Sequence, residues 1–211
     1  MSTVVAPPPL PRAAVSPAPA ATPAAYPRPL VWTADEFHRV GDTGIWEGRR
    51  PMLIGGVIWE QGRSNPPHST VVGLTFEALR RFCPAGHHVR NQQPLKLGPR
   101  HDPEPDLAVV PGTHLDYLKA HPTAALLVVE VSDATLFFDL TTKAEPYAAA
   151  GVPEYWVLDL AGRVLHAFRD PQPLSPGGTT YRQHTTHAAG ETVAVPGGGP
   201  VAVETLLPPA G

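Results

Sequence analysis

The stretch Leu126–Thr135, LLVVEVSDAT, sets a carboxylate, Glu130, into a run of aliphatic residues that otherwise reads as a buried strand. A carboxylate left unpaired in such a place is costly, or else it keeps its proton. Glu130 therefore calls for a cation. Two more polar residues stand in similarly unusual places, Asp106 at the mouth of DLAVV and Lys143 at the start of the next helical segment. Two cations could serve Glu130, and they imply different proteins. Lys143 alone would make a buried ion pair that fixes helix to sheet. A Mg²⁺ ion shared by Asp106 and Glu130 on adjacent strands, with Lys143 directing or deprotonating a metal-bound water, would make a centre for metal-assisted hydrolysis. The residue chemistry by itself leaves both open.

Neighbouring residues extend this constellation. Ser132 shares a strand face with Glu130 by its two-residue spacing, so its hydroxyl is expected at the same site. Asp139 precedes Lys143 by four residues and Tyr147 follows it by four, a spacing that lines one helix face and suits orienting or neutralising the lysine. His68, after SNPP, is a peripheral candidate that titrates near neutrality. The other histidines, among them His87, His88 and His101, lack metal-ligand spacing such as HExxH and read as surface residues. In RHDPEPD, Pro103 and Pro105 restrict the backbone around Asp102 and Glu104, which read as a loop rim.

The elements that must position these groups can be read from pattern. Thr33 and Glu36 have capping-box spacing, which starts a helix near residue 34. PMLIGGVIWEQG gives two apolar runs around Gly55 and Gly56, a hairpin. From His68 to Phe82 apolar residues recur at helical spacing, with Arg80 and Arg81 in the last turn. HHVRNQQPLKL, DLAVV and LLVVEV read as strands, the last two central. DLTTKAEPYAAAG follows as a helix closed by Gly151, with Thr142 and Glu145 as its expected capping box and Pro146 in its first turns. EYWVLDL and VLHAFRD flank a turn, Pro171 to Gly178 reads as loop, and TYRQH and ETVAV as weaker strands. The order predicts an α/β fold, a mixed sheet core flanked by helices.

The chain of 211 residues suits one cored domain, expected over residues 31–207, with a short tail at 208–211. Residues 1–30 contain 9 Pro and 8 Ala and, apart from Arg12 and Arg28, no charge, so they read as a disordered leader. The leader lacks the apolar core of a secretion signal, and no stretch is apolar enough for a membrane span. Net charge is −3. This balance excludes a general nucleic-acid clamp and confines any such contact to a local patch. The single Cys83 excludes an internal disulfide and a Cys-rich zinc site, which fits a reducing cytoplasm.

Three segments, PDLAVV (Pro105 to Val110), VVEVSDATLFFD (Val128 to Asp139) and KAEPYAAAGVPEYWVLDL (Lys143 to Leu160), together resemble the Uma2 family of restriction endonucleases, a branch of the PD-(D/E)xK nuclease superfamily. The resemblance runs from about Thr33 to Asp170 and implies a restriction-endonuclease-like fold. It also implies a Mg²⁺- or Mn²⁺-dependent endonuclease acting on DNA, with Asp106 and Glu130 as metal ligands helped by the carbonyl of Val131. Ser132 occupies the superfamily's lysine position, and the resemblance implies that Lys143 substitutes for it as the residue that positions the attacking water. Family members tend to carry an acid in the early hairpin, where this chain has Met52 and Gly55. Arg49, Arg50, Arg63, Arg80, Arg81 and Arg90 are candidates for contacts to a DNA backbone. A homodimer is compatible with cutting two strands. The reading from another class is a non-catalytic nuclease-fold protein that binds a protein or nucleic-acid partner.

Overall fold

The elements in chain order are α1 (Ala34–Gly41), a hairpin of β1 (Pro51–Ile54) and β2 (Val57–Glu60), α2 (Pro66–Phe82), β3 (His87–Asn91), β4 (Leu107–Pro111) and β5 (Leu127–Ser132). Two short helices follow, α3 (Leu136–Leu140) and α4 (Ala144–Ala149), then β6 (Glu154–Asp159), β7 (Val164–Pro173) and β8 (Thr179–Ala188). A small pair, β9 (Thr192–Ala194) and β10 (Pro200–Ala202), closes the chain. The structure, a computed structural model, describes residues 28–209. The expected leader therefore lies outside the described residues as far as residue 27, as do the last two residues of the expected tail.

Strands β3 to β8 form one six-stranded sheet in sequence order. All neighbours are antiparallel except β5 and β6, which run parallel. A parallel pair needs a crossover, and α3 with α4 supplies it. Every residue of β5 and β6 is buried, as their near-continuous apolar sequences require of central strands. One sheet face carries Val129, Val131, Trp156 and Leu158 against Val71, Val72 and Leu79 of α2. The other carries Val128, Tyr155 and Val157 against Tyr147 and Ala148 of α4. Strand alternation puts Glu130 and Ser132 on this second face, under the crossover helices. The sequence-predicted α/β mixed sheet flanked by helices is the observed architecture.

The local signals behave as their chemistry dictates, with four differences, one being that the strand expected over HHVRNQQPLKL ends at Asn91. The Thr33–Glu36 capping box forms in full, and Gly55 and Gly56 take positive φ (63° and 76°) in the hairpin turn, where a side chain would be strained. Helix α2 starts two residues earlier than predicted, because Asn65 caps it by accepting the His68 N–H and Pro66 occupies the first position, where no N–H is needed. The expected single helix after β5 is two helices. The Thr142–Glu145 capping box is replaced by Lys143 at the N-cap, in a right-handed conformation and without a side-chain cap bond. The predicted loop from Pro171 begins later, since β7 continues to Pro173. Pairing with β6 ends at Arg169, so the prolines beyond it face a free edge on that side and cost no ladder hydrogen bond.

Candidate active site

Asp106 stands one residue before β4. The register that pairs Leu107 with Val129 sets it opposite Glu130, on the same side of the sheet. Its Oδ2 accepts the Val131 backbone N–H at 2.9 Å and the His68 imidazole Nε2–H at 3.2 Å, and Oδ1 accepts the Gln92 amide at 3.3 Å. Burial pushes the Asp106 carboxyl upward, but the His68 hydrogen bond and charge, with the Val131 N–H, hold it below the usual range. His68 is in turn raised by its bond to Asp106. Its Nδ1 is buried without a hydrogen-bond partner among the described residues.

Glu130 is 2 % exposed. Its Oε1 accepts the Tyr147 hydroxyl at 2.8 Å, and its Oε2 lies 2.9 Å from Lys143 Nζ. The same ammonium lies 3.0 Å from Asp139 Oδ1. Asp139 Oδ2 accepts the Thr135 hydroxyl at 2.6 Å, and the Ser132 hydroxyl is 3.4 Å from that of Thr135. Two buried carboxyl groups thus share one ammonium, and Asp106 adds a third negative group beside them. Burial, reinforced by Asp106 and Asp139 and opposed by Lys143, pushes the Glu130 carboxyl up to about 7. Burial works against the Lys143 ammonium, yet Glu130 and Asp139 outweigh it and keep the lysine charged far above neutrality.

These groups lie along a cleft of about 570 Å³ between the β1–β2 hairpin and α3. The predicted trio of Asp106, Glu130 and Lys143 converges there, together with His68, which had been assigned only the periphery. Ser132 faces the same side, but it reaches the cluster through Thr135 and Asp139 rather than through Glu130. Met52 lines the cleft where the family's hairpin acid would stand, while Gly55 occupies the turn. Of the six candidate arginines, Arg50 and Arg63 line the cleft. Arg90 is excluded from backbone contact, being buried under Tyr117 and bonded to His121. Trp59 and Phe138 are part of the site and carry no sequence signal, since only the folding of the hairpin onto α3 brings them together, whereas Thr135 reaches Asp139 locally, four residues on.

A model of the Uma2 family, described as "Putative restriction endonuclease", matches residues 34–206. The chain belongs to the Uma2 family. Its fold matches a crystal structure described as a putative nuclease belonging to DUF820 from Anabaena variabilis ATCC 29413, with a TM-score of 0.64. The two are 14% identical, and the match covers 84% of this chain and 97% of that one. No curated protein sequence matches it.

This Uma2-family site has the donor chemistry of a hard divalent cation. Among the described residues no three His, Cys, Asp or Glu side chains form a metal-holding group, so a protein-only cage is absent from them. Mg²⁺ does not require one, since it is commonly held by one or two carboxylates with waters and substrate phosphates completing the shell. Each carboxylate oxygen has two lone pairs, and the hydrogen bonds to Glu130 and Asp106 leave several unused. Once Glu130 is ionised, it and Asp139 share the one Lys143 ammonium, which gives an added cation an electrostatic reason to bind. Asp106 and Glu130 therefore fit the group that the family implies.

Proposed function

We propose that this protein is a divalent-metal-dependent endonuclease hydrolysing phosphodiester bonds of DNA. The observation that carries the reading is the sharing of Lys143 between Glu130 and Asp139, both almost fully buried. When Glu130 is ionised, Lys143 faces two carboxylates rather than the one of a plain ion pair, with the Asp106–His68 pair opposite. Asp106, Glu130 and the carbonyl of Val131 would hold Mg²⁺ or Mn²⁺. The Val131 N–H points toward Asp106, and in an extended strand the carbonyl of the same residue lies along that same edge. When bound, the ion supplies charge neutralisation at the phosphate and acidifies water.

The chain's own groups have separable tasks. Lys143 stays protonated, so it acts as a fixed donor that orients the attacking water and stabilises negative charge, and it does not take a proton. Asp139 holds the ammonium in place and Tyr147 holds Glu130. His68 aligns Asp106, and Arg50 and Arg63, which line the cleft, would contact the DNA backbone.

Plasmid nicking tests this reading. Supercoiled DNA incubated with the protein and Mg²⁺ or Mn²⁺ is expected to relax, and Asp106→Asn and Glu130→Gln proteins with unchanged folds are expected not to relax it. Intact plasmid across metals and DNA forms, or variants that nick equally well, would refute it. Two observations favour a non-catalytic partner-binding protein: Glu130 is already paired directly with Lys143, and Met52 puts an apolar side chain in place of the expected hairpin acid. Such a protein would bind neither ion through Asp106 and Glu130.

A further inference from the structure

The mouth of the cleft is aromatic. Trp59 of β2 meets Phe138 of α3 edge to face at a centroid distance of 4.7 Å, so the hairpin and the crossover touch above the carboxylates. Phe137 stands beside them and is 64 % exposed, although its neighbour Leu136 packs into the core. Leaving a phenyl ring in water forgoes stabilisation that its burial would provide, roughly 25 cal/mol per Å² of apolar surface. Nothing in the packing of α3 accounts for a ring in that place. Arg50 and Arg63 line the same cleft beside the acids Glu60 and Asp133, so phosphate contacts near the rim fall to these two side chains.

The floor is recessed. The side chains of Glu130 and Lys143 are 3 % and 10 % exposed, so a scissile phosphate must descend into the cleft to reach them. A volume of about 570 Å³ lies in the range of small-molecule pockets and takes a nucleotide-sized group, not the breadth of a continuous duplex. A flexible single strand lowers a phosphate into such a recess more readily than a stiff duplex, and its unpaired bases gain from stacking partners at the rim. Aromatic rings at the rim of the cleft provide such partners without reading sequence.

We propose that Trp59, Phe137 and Phe138 form a stacking lip for an unpaired base next to the scissile phosphate, so that the site takes single-stranded segments of DNA in preference to continuous duplex. The inference rests on the nuclease reading for its substrate, but binding tests it separately from cleavage. The full chain, with Ca²⁺ to hold off hydrolysis, is titrated into a fluorescent oligodeoxythymidylate and into a blunt duplex of the same length, and anisotropy is read. The single strand is expected to bind roughly tenfold more tightly. Phe137→Ala is expected to lose about tenfold on the single strand and little on the duplex, while Phe137→Trp keeps the affinity. Phe137 is exposed, so its replacement leaves the core untouched.

Equal or tighter duplex binding, an unchanged affinity in Phe137→Ala, or no binding of the single strand overturns the lip. So does a dimer that Phe137→Ala dissociates with no effect on DNA, because the rim would then be a subunit contact. Parallel assays with Mg²⁺ separate the two readings. Single strands bound with these preferences but never cut leave the lip standing and remove the nuclease. Duplex and single strand cut equally by the unmodified and Phe137→Ala proteins leave the nuclease standing and remove the lip.

Discussion

Lys143 Nζ lies 2.9 Å from Glu130 Oε2, but the ammonium does not belong to Glu130 alone, since Asp139 claims it at 3.0 Å. Removing the lysine strands two buried carboxyl groups. Lys143→Met is therefore expected to destabilise the fold by about 3–5 kcal/mol at pH 8, the range for breaking a buried pair from one side. Without the cation the folded Glu130 carboxyl rises further above its ordinary value. Stability is then fully present below the unfolded pKa and lost as pH rises through the folded one. Urea denaturation at about pH 5 and pH 8 checks the sign, because the loss should shrink at the lower pH. An equal loss at both would mean that the lysine acts through packing.

The raised Glu130 carboxyl also sets a pH dependence for metal binding. Its ordinary pKa of 4.5 becomes about 7 in the fold, so the protonated form contributes stability below the lower value and that contribution disappears as pH passes about 7. A cation must displace this proton. Mn²⁺ affinity is expected to rise about tenfold per pH unit up to about pH 7 and to level off above it, and Glu130→Gln should abolish the rise. Electron paramagnetic resonance of free Mn²⁺ across this range measures it, and a flat profile would contradict the assignment of Glu130 as a ligand.

His68 and Asp106 make the opposite kind of pair, exposed enough to titrate and close enough to couple. His68 is raised in the fold, so the pair contributes fully below the histidine's ordinary pKa of 6.5, and that contribution is lost as pH rises through the higher folded value. His68→Ala is expected to cost about 1–2 kcal/mol at pH 5.5 and distinctly less at about pH 8.5, as a charge-assisted hydrogen bond would. The same variant should also weaken Mn²⁺ binding modestly by freeing the Asp106 side chain to rotate. Thermal unfolding at the two pH values decides the first point, and identical shifts at both would show that the imidazole is uncharged at this site.

The chemical core was legible because it breaks pattern. Glu130 is a charge within an aliphatic strand, Asp106 precedes the apolar β4, and Lys143 lies between the apolar segments of β5 and β6. The sheet faces followed from alternation, and the Thr33 capping box and the Gly55–Gly56 turn from local chemistry. What escaped depends on contacts distant in sequence. His68 reaches Asp106 only because α2 packs across β4 and β5, and Trp59 reaches Phe138 only because the hairpin folds over the crossover. The break between α3 and α4 was hidden for another reason. The Asp139, Lys143, Tyr147 spacing fits one continuous helix, yet the three act from two helices and a turn, with the Lys143 backbone serving as N-cap. The spacing identified the right side chains while misstating the backbone that carries them.

Ser132 offers a stringent test of what Lys143 does. It is fully buried on the Glu130 face, and its hydroxyl is connected to Asp139 through Thr135. A lysine placed there would enter the same carboxylate cluster from the strand instead of from the head of α4, in the volume that Lys143→Ala vacates. If the site needs an ammonium between Glu130 and Asp139 and not the particular backbone that delivers it, Ser132→Lys with Lys143→Ala should recover about half of the stability lost in Lys143→Ala. Some metal-dependent nicking should return with it. Ser132→Lys alone should be destabilising, because two ammonium groups then compete for a crowded, dry space. A double-mutant cycle gives the coupling directly, and it should be favourable by about 1–3 kcal/mol. Additive losses would show that the helix end is itself part of the site and that the lysine's route into the cluster is fixed.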